Sequence, residues 1–152
     1  MPLMELTFPA GTFDQDTCAG LPAELTTVLL RAERAPDTDF FRSITWVYMN
    51  ERPADAVFQA GRPVEQPIIK LDVTVPDGAL SDRRKAELVG AATKILTAAA
   101  GIPEAEALRV WVLIREVPEG NWGAAGEVVR FEMLRQAAAA QREAVEAAAA
   151  PA

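Results

Sequence analysis

The chain repeats itself once, and that repetition constrains its fold more than any single motif does. An alternating apolar stretch runs into a Pro-x-Gly turn at Leu6-Thr7-Phe8-Pro9-Ala10-Gly11, and again 67 positions later at Val73-Thr74-Val75-Pro76-Asp77-Gly78. Near the end of each unit, Glu51-Arg52-Pro53 through Ala60-Gly61 is answered 65 positions later by Glu116-Val117-Pro118 through Ala125-Gly126. A slip of two residues is what one loop insertion produces. The chain therefore divides into halves of about 1–64 and 66–130, followed by an alanine-rich segment over 131–152.

Each half reads strand, helix, strand. Met4, Leu6 and Phe8 alternate with polar or small partners, as do Ile69, Leu71, Val73 and Val75, so the two opening strands are expected to share one buried face. Leu21, Leu25, Val28 and Leu29 fall at helical spacing, and so do Leu88, Ala92, Ile95, Leu96 and Ala99. The second helix should start at Ser81 or Asp82 and stop at Gly101, ahead of Pro103. Pro22 is expected to kink the first helix or mark a restart. The closing strands, Ile44 to Met49 and Val110 to Ile114, are apolar on both faces, so both faces should be covered.

A strand-helix-strand unit pairs its strands in parallel through a right-handed crossover. The predicted class is thus α/β: two fused β-α-β units forming a four-stranded sheet, two helices on one face, and a C-terminal helix. Trp46, Tyr48, Trp111 and Leu113 would lie on the other face, which predicts that an oligomer buries them. From Glu127 onward helix propensity is high, but the apolar stripe is thin beyond Leu134, so the helix is expected to fade into a frayed tail.

Composition narrows the chemistry. With no histidine and a single cysteine, Cys18, the chain has no Ser-His-Asp or Cys-His system and no Cys/His zinc site; neither metal nor cofactor is expected. A formal charge of −7 speaks against nucleic acid as a partner. No apolar run approaches the roughly 20 residues that span a bilayer. A lone cysteine and the absence of a secretion signal point to the cytoplasm.

What the chain does offer is Pro2, behind Met1 at the head of an apolar strand. Removal of Met1 would leave a secondary amine there. A free α-amino group titrates at about 7.7–8.0, and apolar surroundings lower that value by disfavouring the cation. The amine would then serve as a general acid or base.

These pieces resemble the tautomerase superfamily. The stretch Glu116-Val117-Pro118-Glu119-Gly120-Asn121-Trp122-Gly123-Ala124-Ala125-Gly126 is similar to the segment after the last strand of 4-oxalocrotonate tautomerase, and Glu51 to Gly61 resembles the corresponding part of cis-3-chloroacrylic acid dehalogenase. The doubled length also fits that enzyme and malonate semialdehyde decarboxylase, and the likeness runs from about 2 to 130. It implies a trimer with one catalytic amine per chain, Pro2, shuttling a proton between oxygen and carbon of a small anionic or enolic substrate. Keto-enol tautomerisation of small 2-oxo or 2-hydroxydienoic acids is the leading expectation. The alternatives are hydration or dehalogenation by a cationic Pro2, and a non-catalytic trimeric scaffold.

The family's carboxylate-binding arginines are missing, since the relevant loops read Ala10-Gly11-Thr12 and Asp77-Gly78-Ala79, and Trp46 and Trp111 replace the arginine of the closing strand. Substitute substrate anchors are therefore expected at Arg109, Arg42 or Arg34. Asn121 and Trp122 would supply a hydrogen-bond donor and an apolar wall to the pocket.

Overall fold

The computed structural model describes residues 2–149; Met1 and the last three residues, and with them the end of the expected tail, lie outside the described part. The first half contains β1 (Leu3–Pro9), helix α1 (Gln15–Glu33), the short helix α2 (Asp39–Ser43), β2 (Trp46–Arg52) and a hairpin of β3 (Phe58–Gln59) and β4 (Arg62–Pro63). The second half contains β5 (Ile69–Pro76), α3 (Asp82–Ala99), β6 (Val110–Val117) and a hairpin of β7 (Gly123–Ala124) and β8 (Glu127–Val128), after which α4 spans Phe131–Ala149. The main sheet has the order β2-β1-β5-β6. Within each half the pairing is parallel, and β1 meets β5 antiparallel across the centre, with Leu6 opposite Leu71.

The alternation read from the sequence is the alternation that packs. Met4, Leu6, Phe8, Ile69, Leu71, Val73 and Val75 form one buried face with Leu21, Leu25 and Leu29 of α1 and Leu88, Ala92 and Leu96 of α3. At about 25 cal/mol per Å² of apolar surface removed from water, such a shared core is the main term holding the two halves together. Each opening strand ends in its Pro-x-Gly turn with the glycine left-handed, Gly11 at φ 80° and Gly78 at φ 78°. Both hairpins use a two-residue Ala-Gly loop with positive φ at both positions, the twist that suits a tight hairpin.

Two local expectations change. Helix α1 runs unbroken through Pro22, so the proline neither divides it nor restarts it. Asp14 caps its start, accepting from the Thr17 amide at 2.7 Å, and packing by Leu21, Leu25 and Leu29 on either side carries the helix past the missing N–H. The first closing strand begins at Trp46 rather than Ile44, because Thr38 nucleates α2 and Ile44 ends it. The expected apolar face is open in this single chain: Trp46 is 58% exposed and Trp111 62%.

Candidate active site at the head of the first strand

Pro2 is buried immediately ahead of β1, and its carbonyl accepts from the Trp46 amide at 3.2 Å. The next residue, Leu3, lies opposite Thr74, so the strand running on through Val75 to Pro76 passes beside the head of β1. There a cavity of about 340 Å³ opens. Its walls come from four places: the end of α1 (Glu33, Arg34, Ala35), Phe41 of α2, Pro76 and Ala79 of the β5–α3 turn, and α4 from Phe131 to Arg142.

Local packing explains why α4 reaches this place. The Glu119 carboxylate, on the turn before the second hairpin, accepts from the Phe131 amide at 3.2 Å and so holds the start of the helix. Seven residues on, Ala138 is buried against Leu30 and Phe41, with Ala35, Ile44 and Ala137 packed around them. Alanines let the helix come close; a stripe of large residues is not needed.

The charged groups at the cavity differ from those anticipated. Glu33 is half-buried, and burial pushes its carboxyl up to about 7 against the pull of the amino-terminal charge and of Arg84. Arg84 donates to the Ala32 carbonyl at 3.1 Å, which fixes its guanidinium beside the end of α1. Arg34 occupies the left-handed cap of α1 at φ 56° and lines the cavity. Arg135 and Arg142 of α4 line it too. No reading of single motifs singled out Glu33, Arg135 or Arg142. Repeat comparison passes over α4, which has no counterpart in the first half.

The other expected anchors lie elsewhere. Arg42 is held by Asp37, with Nε to Oδ1 at 2.6 Å and Nη2 to Oδ2 at 2.8 Å, and it also donates to Thr27. Arg109 donates to the Pro67 carbonyl at 3.0 Å and to Glu106 at 2.6 Å. It borders a second cavity of about 480 Å³ at the head of β5, walled by Ile69, Leu108, Trp111 and the β3–β4 hairpin. That cavity sits at the head of a strand that opens inside the chain, where the nitrogen is an amide. Asn121 is exposed, its amide donating to Pro118, and Trp122 is half-buried; among the described residues, neither belongs to the wall of the first cavity. Of the expected site residues, Arg34 alone lines the first cavity; Pro2 lies at the head of the strand paired with the stretch leading to Pro76, and Arg42, Arg109, Asn121 and Trp122 are away from the wall.

Glu51 and Glu116, equivalent by the repeat, have structural work in both halves. Glu51 accepts from the Gly11 amide at 3.3 Å and steadies the first turn, while Glu116 pairs with Lys85 at 2.7 Å.

Residues 67–132 match the family model described as "Tautomerase enzyme". That match spans the second β-α-β unit and its hairpin. Among solved structures, Pt0534 inactivated by 2-oxo-3-pentynoate is similar with a TM-score of 0.72 at 22% identity, covering 86% of this chain and 98% of that one. Native fused 4-OT gives 0.67 at 24% identity, over 83% and 94%. N1, a member of the cis-3-chloroacrylic acid dehalogenase family, gives 0.70 at 23% identity, over 95% and 99%. No curated protein sequence matches the chain. The fold is thus that of the fused two-unit tautomerases. Among the described residues no helix is long and apolar enough to cross a membrane.

Proposed function

We propose that this protein is a cofactor-independent keto-enol tautomerase in which Pro2, freed by removal of Met1, is the catalytic base, and that its substrates are small 2-oxo or 2-hydroxydienoic acids. The observation that carries this reading is buried Pro2 ahead of Leu3, which lies opposite Thr74 on the strand leading to Pro76, a wall residue of a cavity that combines apolar walls, a carboxyl titrating near neutrality and three arginines. The neutral amine takes the proton of the enol hydroxyl and returns a proton to carbon, so the isomerisation balances with no co-reactant. Glu33, in its protonated form, donates a hydrogen bond to the substrate oxygen on which charge develops. Inactivation of the related Pt0534 by a 2-oxo acid supports the substrate class.

The working form is proposed to be a trimer. Fused 4-OT forms symmetric and asymmetric trimers, and the open aromatic face of this sheet needs a cover. The decisive test is ketonisation of phenylenolpyruvate and 2-hydroxymuconate after mass spectrometry has established that Met1 is gone. Pro2→Ala is expected to lower turnover at least about 100-fold, the scale of a lost general base. An unaltered rate would reject the reading.

A further inference from the structure

A cavity that gathers positive charge in a chain of net charge −7 calls for an anionic occupant. Arg34, Arg135 and Arg142 face it against the carboxyls of Glu33 and Glu132, and protonation of Glu33 toward neutral pH leaves the positive charge in excess. Five of the nine other arginines meet carboxylates: Arg42 with Asp37, Arg83 with Glu87, Arg109 with Glu106, Arg115 with Asp72 and Arg130 with Glu119. Among the described residues, two of the three cavity arginines do not. Among the described residues, Arg142 donates through Nε to the Ala138 carbonyl of its own helix at 3.1 Å and meets no carboxylate. Arg34 likewise meets none, and Arg135 touches Glu132 only at 3.5 Å. The β5–α3 turn contributes Pro76 and Ala79 to the same wall, which are apolar and cannot bind charge.

We propose that α4 supplies the carboxylate-binding group of this site: Arg142, assisted by Arg34 from the end of α1, holds the carboxylate of a small 2-oxo acid whose apolar body lies against Phe41, Pro76 and Phe131. A guanidinium fork matches a carboxylate in two hydrogen bonds and keeps its charge at every working pH, which a lysine on the same stem does less well. The turn arginines that this chain lacks are thereby replaced from a different element that lines the same cavity. The inference rests on the reading of Pro2 as the base, because it assumes that substrate lies at this cavity.

Equilibrium binding of phenylpyruvate and of its methyl ester, followed by calorimetry, tests the clamp without requiring turnover. The ester keeps the apolar body and the 2-oxo group but has no negative charge. Wild-type protein is expected to prefer the acid, and Arg142→Gln to bind the acid about 10- to 100-fold more weakly while binding the ester as before. Arg142→Lys should recover part of the preference. Arg142 is exposed on its helix, so circular dichroism and melting should be those of wild type. A wild type without preference for the acid, or an Arg142→Gln that retains it, overturns the proposal; so does equal weakening for acid and ester, which would mean altered cavity shape. Failure of the clamp is distinguishable from failure of the Pro2 reading. An acid preference unchanged in Arg142→Gln, alongside turnover abolished in Pro2→Ala, removes the clamp and leaves the base.

Discussion

Burial holds the Glu33 carboxyl near 7, far above its ordinary 4.5, and this one residue links stability to the proposed chemistry. A folded-state value above the unfolded one means that the folded protein binds the extra proton. The stabilisation is complete below about 4.5 and is lost as pH rises through about 7. Chemical denaturation is therefore expected to show stability falling by up to about 3 kcal/mol between pH 4.5 and 7.5, with that slope absent in Glu33→Gln. In catalysis the same proton is the one proposed to support the substrate oxygen. The rate in wild type should decline above about pH 7 relative to Glu33→Gln, whose amide donates at every pH. A pH–rate profile identical in the two proteins would remove Glu33 from the chemistry. Asp72 responds in the opposite direction. Burial pushes it up, but bonds from Lys70 at 2.8 Å and Arg115 at 3.0 Å outweigh that and hold it below its usual value, so its contribution is lost only as pH falls into the acid range.

Helix α4 is the element that most separates this chain from a plain repeat of two β-α-β units. It is held at its start by Glu119 and in its middle by the contact of Ala138 with Leu30 and Phe41. Because Leu30 is 1% exposed, Leu30→Ala should cost about 2–4 kcal/mol in equilibrium unfolding. It should also raise KM for oxo acids, as the wall carrying Arg135 and Arg142 loosens. Ala138→Trp is the sharper probe, since it forces bulk into a contact that only a small residue fits. Protease cleavage within 131–149 should accelerate in that variant, and a cleavage rate equal to wild type would mean that α4 does not depend on this contact.

At the scale of the whole molecule the sheet has one finished face and one open face. The finished face packs α1 and α3 over the core, while the other leaves Trp46, Tyr48, Trp111 and Leu113 exposed at 39–62%. Sedimentation is expected to give a trimer for wild type and a smaller species for Trp111→Glu, because a carboxylate buried in an apolar contact costs several kcal/mol unless it is paired. A monomeric wild type would leave this aromatic surface in water and sink the assembly. The two ends of the molecule also differ: the cavity at β1 is closed by α4 and the one at β5 by the β3–β4 hairpin. The two cavities are built differently, since α4, which walls the first, has no counterpart in the first half.

The repeat, the alternating strands and the helix spacings were legible in the sequence because they are local periodicities, and periodicity is what puts one face of an element into the core. Pro2 and the Asn121-Trp122-Gly123 segment were legible as motifs for the same reason: neighbours in the chain carry them. The grouping of Glu33 and Arg34 with Arg142, more than a hundred positions away, was not, because it depends on where α4 docks. That docking is set by the fit of a small Ala138 against Leu30 and Phe41, a match of shapes between distant residues that no spacing records. Arg42, Arg109 and Arg34 all read in the sequence as charged residues near strand or helix ends. Only the tertiary structure separated them, by giving Asp37 to Arg42 and Glu106 to Arg109 and leaving Arg34 on a cavity wall with no carboxylate partner among the described residues.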